Sequence, residues 1–528
     1  MTRRPRKHWG WGFADEQPRT EDLRAMAPLL RDQLGFEPQE VEEPVPLQAV
    51  TLPVPRIAPP PALAAICATD DHARATHAQG KALADIVGAM RGSFPHPPDV
   101  VARPADERQV EAVLEWAAAA GAKVIPYGGG TSVVGGIEPR FDDPAISLDL
   151  GALDALLELD EVSRSARLQA GAPGPRVEEQ LAARGMTMRF YPQSFEHSTL
   201  GGWIATRAGG HFATLWTHVD DLVESVRAVT PTGVWSSRRL PGSGAGVSPD
   251  RMLLGSEGIL GVITEAWVRV QPRPAHRLSA SVRFDAFADG AEAVRAIVQA
   301  RLHPSNCRLI EADEARFTGA GDGSAALLVL GFEGVDEDAV PSQILMSRAL
   351  ELCAAEGGVY ADDARASDAG GAEGWKDTFL RAPHLRDMLL QLGVVAETFE
   401  TAITWERFPA FHAAVAGAAR EALGGPGLVT CRFTHAYQDG PAAYFTVLMP
   451  ARRGEEVERW WTVKRAASDA IEAAGGTITH HHAVGRDHRP WYDRQRPAPF
   501  AQALRAAKAA VDPGGLLNPG VLIDPAGS

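Results

Sequence analysis

The chain has 528 residues, enough for at least two domains with cores of their own. Its 45% hydrophobic and 23% charged residues are those of an ordinary globular protein, and a net charge of −15 excludes nucleic acid as the main partner. Cys67, Cys307, Cys353 and Cys431 form no CxxC pair, so neither a zinc site nor a disulfide framework is expected, and a reduced, cytoplasmic setting follows.

Residues 1 to about 60 read as an extended strap, because seven prolines gather between Pro44 and Pro61. Within it, Trp9-Gly10-Trp11-Gly12 reads as a packed anchor. The basic start, Met1 to Lys7, lacks the apolar stretch of a secretory signal, and the last three residues are not a peroxisomal address. Glu107 to Ala120 carries a helical stripe at Val110, Val113, Leu114 and Ala117. Lys123 to Ile125 reads as a strand and runs into Pro126-Tyr127-Gly128-Gly129-Gly130-Thr131-Ser132-Val133-Val134-Gly135-Gly136. Strands are predicted at Ala145 to Leu150, Arg167 to Ala170 and Val262 to Val270, and a helix at Pro175 to Arg184. Beyond Pro272 the texture changes. Strands at Ala280 to Phe284 and Ala326 to Phe332 alternate with helices at Ala291 to Ala300 and Ser347 to Ala355, which predicts a separate α+β layer. Ala361 to Gly374 reads as a mobile loop. The expected division is a strap and helical lead-in over 1–94, a cofactor domain over 95–275, a cap over 276–470 and a returning segment over 471–528. No apolar run reaches the roughly 20 residues of a membrane-spanning helix.

Three glycine-rich segments carry the cofactor signal. Consecutive glycines leave backbone N–H groups free to converge on an anion such as a pyrophosphate, and Thr131 and Ser132 add hydroxyl donors. Gln193 to Gly210 reads QSFEHSTLGGWIATRAGG, and Gly255 to Glu265 reads GSEGILGVITE. Together the three can surround one long, phosphate-bearing ligand. No GxGxxG follows a strand, so a Rossmann fold is not supported.

The catalytic signal is His480-His481-His482. An imidazole is costly to bury without partners, so three in a row suit a site wall. In an extended segment His480 and His482 would share one face and His481 the other.

In this order and spacing the three loops resemble the vanillyl-alcohol-oxidase/PCMH flavoproteins, and Asp512 to Gly520, DPGGLLNPG, resembles the tail that returns to their FAD domain. The implied fold is α+β: a PCMH-type two-subdomain FAD-binding domain with an α+β cap domain. The resemblance implies FAD held by Pro126, Gly128, Gly129, Gly130, Thr131, Ser132, Gln193, Ser198, Thr199, Gly202, Trp203, Thr206, Glu257, Gly261 and Ile263. The loop Tyr127 to Gly136 has no His or Cys, and nothing places His197 or His211 at an attachment point, so the FAD is expected to be non-covalent.

Within that superfamily, D-lactate and D-2-hydroxyglutarate dehydrogenase-like members carry EHGxG and a metal-binding HxGDGNxH. Here His481 replaces the Glu, and Ala442 stands at the second histidine position after His435, so no metal site is expected. GWG at Gly10 to Gly12, DDHARATHAQG at Asp70 to Gly80, LRD at Leu385 to Asp387, ETFET at Glu397 to Thr401, TCR at Thr430 to Arg432 and HHHAVG at His480 to Gly485 resemble the alkyldihydroxyacetonephosphate synthase family over nearly the full chain. That resemblance implies exchange of the acyl group of acyl-dihydroxyacetone phosphate for a fatty alcohol through a flavin N5 adduct, without net redox change. It implies Tyr444 as acid/base, His480, His481 and His482 beside it, and Arg386 and Arg308 supporting the site. The expected partner is a lipid-like small molecule; a homodimer and a peripheral membrane contact are family-level expectations. The competing readings are an FAD-linked oxidase or dehydrogenase of a D-2-hydroxy acid or alcohol, and a non-catalytic flavin-binding protein. After Gly210 the chain runs HFATLWTH where the family tends to be basic, a departure that bears on substrate choice.

Overall fold

A computed structural model describes residues 4–336, 338–360 and 382–524. Three parallel strands, Val100–Ala102, Ala145–Asp149 and Lys123–Tyr127, form the heart of a four-stranded sheet, with Cys67–Ala68 antiparallel at one edge. Helix Glu107–Ala119 starts where the Asp106 carboxylate accepts the Gln109 N–H, and its predicted apolar stripe packs on this sheet. The other edge is closed by the C-terminal segment. The Val124 N–H donates to Leu516 O at 2.9 Å, and the Asn518 N–H donates to Val124 O at 2.9 Å. The expected return of the tail is thus a backbone pairing beside the first glycine loop.

A second, five-stranded antiparallel sheet orders Leu156–Asp160, Ser165–Gln169, Val262–Arg269, Val223–Thr230 and Gly233–Ser236. The third sheet is six-stranded and antiparallel: His276–Phe284, Ala326–Gly334, Asn306–Ile310, Leu428–Ala436, Pro441–Pro450 and Val394–Ala402. Successive strand residues face opposite sides of a sheet. On one side Phe399, Phe433, Phe445, Cys431 and Val447 are buried, joining one core with residues of helices Phe287–Gln299, Phe408–Leu423 and Glu456–Ala473. Each buried phenylalanine contributes about 1.5–3 kcal/mol. The other side presents Arg308, Arg432, Thr434, Tyr444 and Glu400.

The predicted strands and helices through Ala355 appear in place, with ends shifted by up to seven residues, the most at the helix Val340–Ala355. One expectation needs correction. The strap is interrupted by a helix, Thr20–Leu34, which buries Leu23, Leu30 and Leu34, carries Glu21 and Asp22 in its first turn and ends at Gly35 with φ 75°. The prolines govern only the stretch after it. The tail also holds helices Arg489–Gln495 and Ala498–Val511. The anchor reading of Trp9 and Trp11 holds: both are buried, and the Trp11 N–H donates to Asp387 at 2.5 Å. The loop expected over Ala361 to Gly374 lies outside the described residues. Among the described residues no helix is long and apolar enough to cross a membrane.

Candidate active site

The first glycine loop leaves the end of strand Lys123–Tyr127 and is folded by its own side chains. Ser132 Oγ accepts the Gly136 N–H at 3.0 Å, and the Tyr127 hydroxyl donates to Thr76 O at 3.0 Å. The second loop packs directly on it. A Cβ on Gly129 would overlap the His197 carbonyl oxygen, and one on Gly128 would overlap Thr199 Oγ1. Glycine is therefore needed here for close approach of two backbones. Thr199 caps helix Leu200–Thr206, and the Trp203 indole N–H donates to Ser198 Oγ at 2.7 Å. The strap reaches the same place: Arg6 donates to the Gly129 carbonyl oxygen.

The third loop supplies Glu257, at φ 47°. Its carboxylate accepts the N–H of Val484 at 2.9 Å and of Gly485 at 2.9 Å. The Asn518 amide donates to Glu257 O at 2.8 Å and to Gly136 O at 2.9 Å, so one tail side chain ties the first loop to the third. Burial pushes Glu257 up to about 7, against the two backbone donors.

All the residues expected at the cofactor line one cavity: Pro126, Gly128, Gly129, Gly130, Thr131, Ser132, Gln193, Ser198, Thr199, Gly202, Trp203, Thr206, Glu257, Gly261 and Ile263. The same cavity reaches Arg308, Thr434, His435, Tyr444, His481 and His482. One part is glycine backbone and hydroxyls, suited to phosphates. The other is aromatic, imidazole and guanidinium, suited to chemistry on a ring and a small anion. A dinucleotide with an aromatic head fits that donor set.

The reacting end is built by register. Tyr444 pairs with Glu400 on one neighbouring strand and with Arg432 on the other, so the three side chains form one row. The Arg432 guanidinium lies 4.0 Å from the Tyr444 ring centroid and pairs with buried Glu314. Thr430 Oγ1 donates to the same carboxylate at 3.0 Å.

Glu400 organises the histidines. Its carboxylate accepts the backbone N–H of His480, of His481 at 3.0 Å and of His482 at 2.7 Å, and the Thr479 hydroxyl at 2.7 Å. Three consecutive N–H groups turn inward around one anion. The segment is thus bent, not extended, and the expected alternation fails: His481 and His482 both line the cavity and His480 stands behind them. His480 Nδ1 is 3.0 Å from His481 Nδ1.

Protonation follows from burial. His481 is lowered to about 3, and His482 and His480 are also held well down, by burial and then by neighbouring cations and imidazoles, so all three are neutral at neutral pH. Burial raises the Tyr444 phenol, with the Arg432 charge opposing it. Burial lowers Arg308 to about 9, still protonated at neutral pH. Glu400 is raised to about 7 by burial, opposed by its donors.

Of the six side chains expected to do chemistry, four line the cavity: Tyr444, His481, His482 and Arg308. Arg386 does not; its Nη1 donates to Lys81 O at 3.4 Å and its Nη2 lies 3.9 Å from Glu397. Neither His197 nor His211 is in the lining. Arg432, Thr434 and Glu400 received no role from the sequence. For Arg432 and Thr434 the signal was the alternation Thr430-Cys431-Arg432-Phe433-Thr434, polar on one face and apolar on the other.

The FAD binding domain family matches residues 98–237, and the C-terminal domain family of FAD linked oxidases matches 273–522. An alkyldihydroxyacetonephosphate synthase from Caenorhabditis elegans is 30% identical over 489 residues, covering 86% of this chain and 81% of that protein. The chain belongs to the alkyldihydroxyacetonephosphate synthase family. A Dictyostelium discoideum alkyldihydroxyacetonephosphate synthase is 28% identical, over 86% of this chain and 78% of its own length. A solved alkyldihydroxyacetonephosphate synthase structure superposes with TM-score 0.82 at 23% identity, covering 97% of this chain and 98% of its own. The α+β fold, with an FAD-binding domain and a cap, is that of the family. The chain is an enzyme and its cofactor is FAD.

Proposed function

We propose that this member of the family exchanges the acyl group of an acyl-dihydroxyacetone phosphate for a fatty alcohol. The C–O bond to the acyl carboxylate breaks, a C–O bond to the alcohol forms, and no electrons are gained or lost overall. The observation that carries this is Tyr444, held in a row between Arg432 and Glu400, which with His481 and His482 lines the cavity of the FAD residues.

When bound, FAD supplies an electron-poor ring at which the substrate carbon is activated. The chain's own groups then divide the work. Tyr444 holds its proton at neutral pH, whereas His481 and His482 hold free lone pairs. One proton donor and two acceptors therefore face the same space, as removal and return of a proton at carbon require. The proton taken from the carbon that bears the acyl oxygen ends on His481 Nε2, with Tyr444 holding the departing oxygen by its hydroxyl. Arg432 keeps the phenol aligned from beneath, and Glu400 keeps both imidazoles turned inward. Arg308 supplies positive charge for the substrate's anionic group. The burial of Trp11 and Trp203 in the lining excludes water from the FAD side. A non-covalent FAD fits the first glycine loop, Tyr127 to Gly136, which carries neither His nor Cys.

Incubation of the yellow protein with palmitoyl-dihydroxyacetone phosphate and labelled hexadecanol tests this. Ether product and free palmitate should appear one for one. Palmitate released without ether would reduce the activity to hydrolysis and sink the proposal.

A further inference from the structure

Behind His481 runs a continuous chain of polar contacts that the reaction as described does not use. His480 Nδ1 lies 3.0 Å from His481 Nδ1, and His480 Nε2 lies 2.7 Å from the Tyr437 hydroxyl. The Tyr437 hydroxyl lies 2.9 Å from Thr217 Oγ1 and 3.4 Å from His218 Nδ1. His218 is partly exposed and follows the exposed pair Leu215 and Trp216.

One end of the chain has its tautomer set by a backbone partner, and a single assignment of the other hydrogens follows when Tyr437 donates to His218. His218 Nε2 is 2.9 Å from the His480 carbonyl oxygen, so it carries the hydrogen, and Nδ1 offers its lone pair to Tyr437. The Tyr437 hydroxyl then donates outward and accepts from His480 Nε2–H. His480 Nδ1 is left as the acceptor for His481 Nδ1–H. That N–H also faces Glu400 Oε2 at 3.4 Å, which suits a donor. His481 Nε2 is the remaining lone pair, on a side chain that lines the cavity. In this assignment every link has one donor and one acceptor, all pointing the same way, and Thr217 Oγ1, 2.9 Å from the Tyr437 hydroxyl and 3.3 Å from His218 Nδ1, flanks the last link.

We infer that His481, His480, Tyr437 and His218 form a proton relay between the cavity and solvent. A proton arriving at His481 Nε2 releases Nδ1–H to His480 Nδ1. His480 Nε2–H passes to the Tyr437 oxygen, and the Tyr437 O–H proton passes to His218 Nδ1, which returns one proton to water. One proton enters and one leaves, with no change of oxidation state, and the reverse order brings a proton back. This deepens the proposed function and rests on it. His480 gains a task that its position behind the cavity otherwise lacks, and Tyr437 and His218 act as relay residues without touching substrate.

The test is wash-in of solvent deuterium at the acyl-bearing carbon of palmitoyl-dihydroxyacetone phosphate by the FAD-loaded enzyme, without alcohol. Wild type should exchange. Tyr437→Phe should exchange about 10²-fold more slowly, with its flavin spectrum and Tm unchanged. His218→Ala should be slowed likewise and recover when free imidazole is added, an effect that a structural defect would not show. Equal exchange by wild type and Tyr437→Phe would overturn the relay and leave the proposed function standing. No exchange by wild type would overturn both. One nitrogen from each of His435, His480 and His481 also lies within 4.8 Å of the others, which is metal-binding reach. A tightly held zinc in purified wild type, with exchange lost on its removal, would overturn the relay in favour of a metal centre.

Discussion

The two parts of the cavity are made in different ways. Around the cofactor the lining is contiguous backbone: three glycine loops, held together by Asn518, Glu257 and the contact of Gly129 with His197. At the reacting end the lining is side chains from strands Asn306–Ile310, Leu428–Ala436 and Pro441–Pro450, with Tyr444 set by register between Glu400 and Arg432, and then from a bent histidine segment. The first design tolerates change in side chains but not added bulk. The second tolerates little change in chemistry but leaves cofactor binding untouched. Substitutions on the two sides should therefore fail in opposite ways.

The largest expected effect is at Tyr444. Tyr444→Phe should lower turnover by about 10³-fold while FAD stays bound, because the phenol's proton is lost and its ring is kept. Near wild-type turnover in a steady-state assay would remove Tyr444 from the mechanism. Gly129→Ala should do the reverse. The added Cβ meets backbone at His197, so the two loops must separate, and the protein should purify largely free of FAD by absorbance. Full flavin occupancy there would break the contrast.

Glu400 sharpens the comparison, since it binds backbone yet sits at the reacting end. Glu400→Ala leaves the part-buried N–H groups of His480 and His481 without an acceptor, while the His482 N–H keeps Thr479 Oγ1 at 3.1 Å, and should cost about 2 kcal/mol in chemical denaturation. Glu400→Gln isolates its charge. In the fold Glu400 titrates at about 7 against a usual 4.5, so its stabilising contribution is full below about pH 4.5 and is lost as pH rises through 7. His481 and His482, with lowered values, act in the opposite sense: their contribution is present above about 6.5 and is lost as pH falls. The readable quantity is therefore the difference between variant and wild type. Relative to wild type, the Tm of Glu400→Gln should rise between pH 5 and pH 8; a flat difference would contradict the assignment. The smallest effect concerns the tether: acid precipitation should leave all flavin in the supernatant, and yellow protein in the pellet would show a covalent bond.

The same division decided what was legible in the sequence. The cofactor residues were readable because each loop is a continuous string whose glycines have a local reason. The pairing of Lys123–Tyr127 with the tail was foreshadowed only by DPGGLLNPG. Tyr444, Arg432 and Glu400 lie 12 to 44 residues apart in sequence, and only strand register makes them neighbours. The bend at His480 to His482 was not readable, because a carboxylate some 80 residues earlier causes it. The helix Thr20–Leu34 was missed because Pro28 lies inside it and the following prolines dominate the composition.

In the proposed reaction an oxidised flavin, lined by Tyr444 and the histidines, makes an ether bond without net electron transfer. Anaerobic turnover tests it most directly, with ether product and flavin absorbance followed together. Ether should accumulate in many-fold excess over flavin while the absorbance stays that of the oxidised form. Lasting bleaching on addition of a 2-hydroxy acid, with no ether formed, would contradict it.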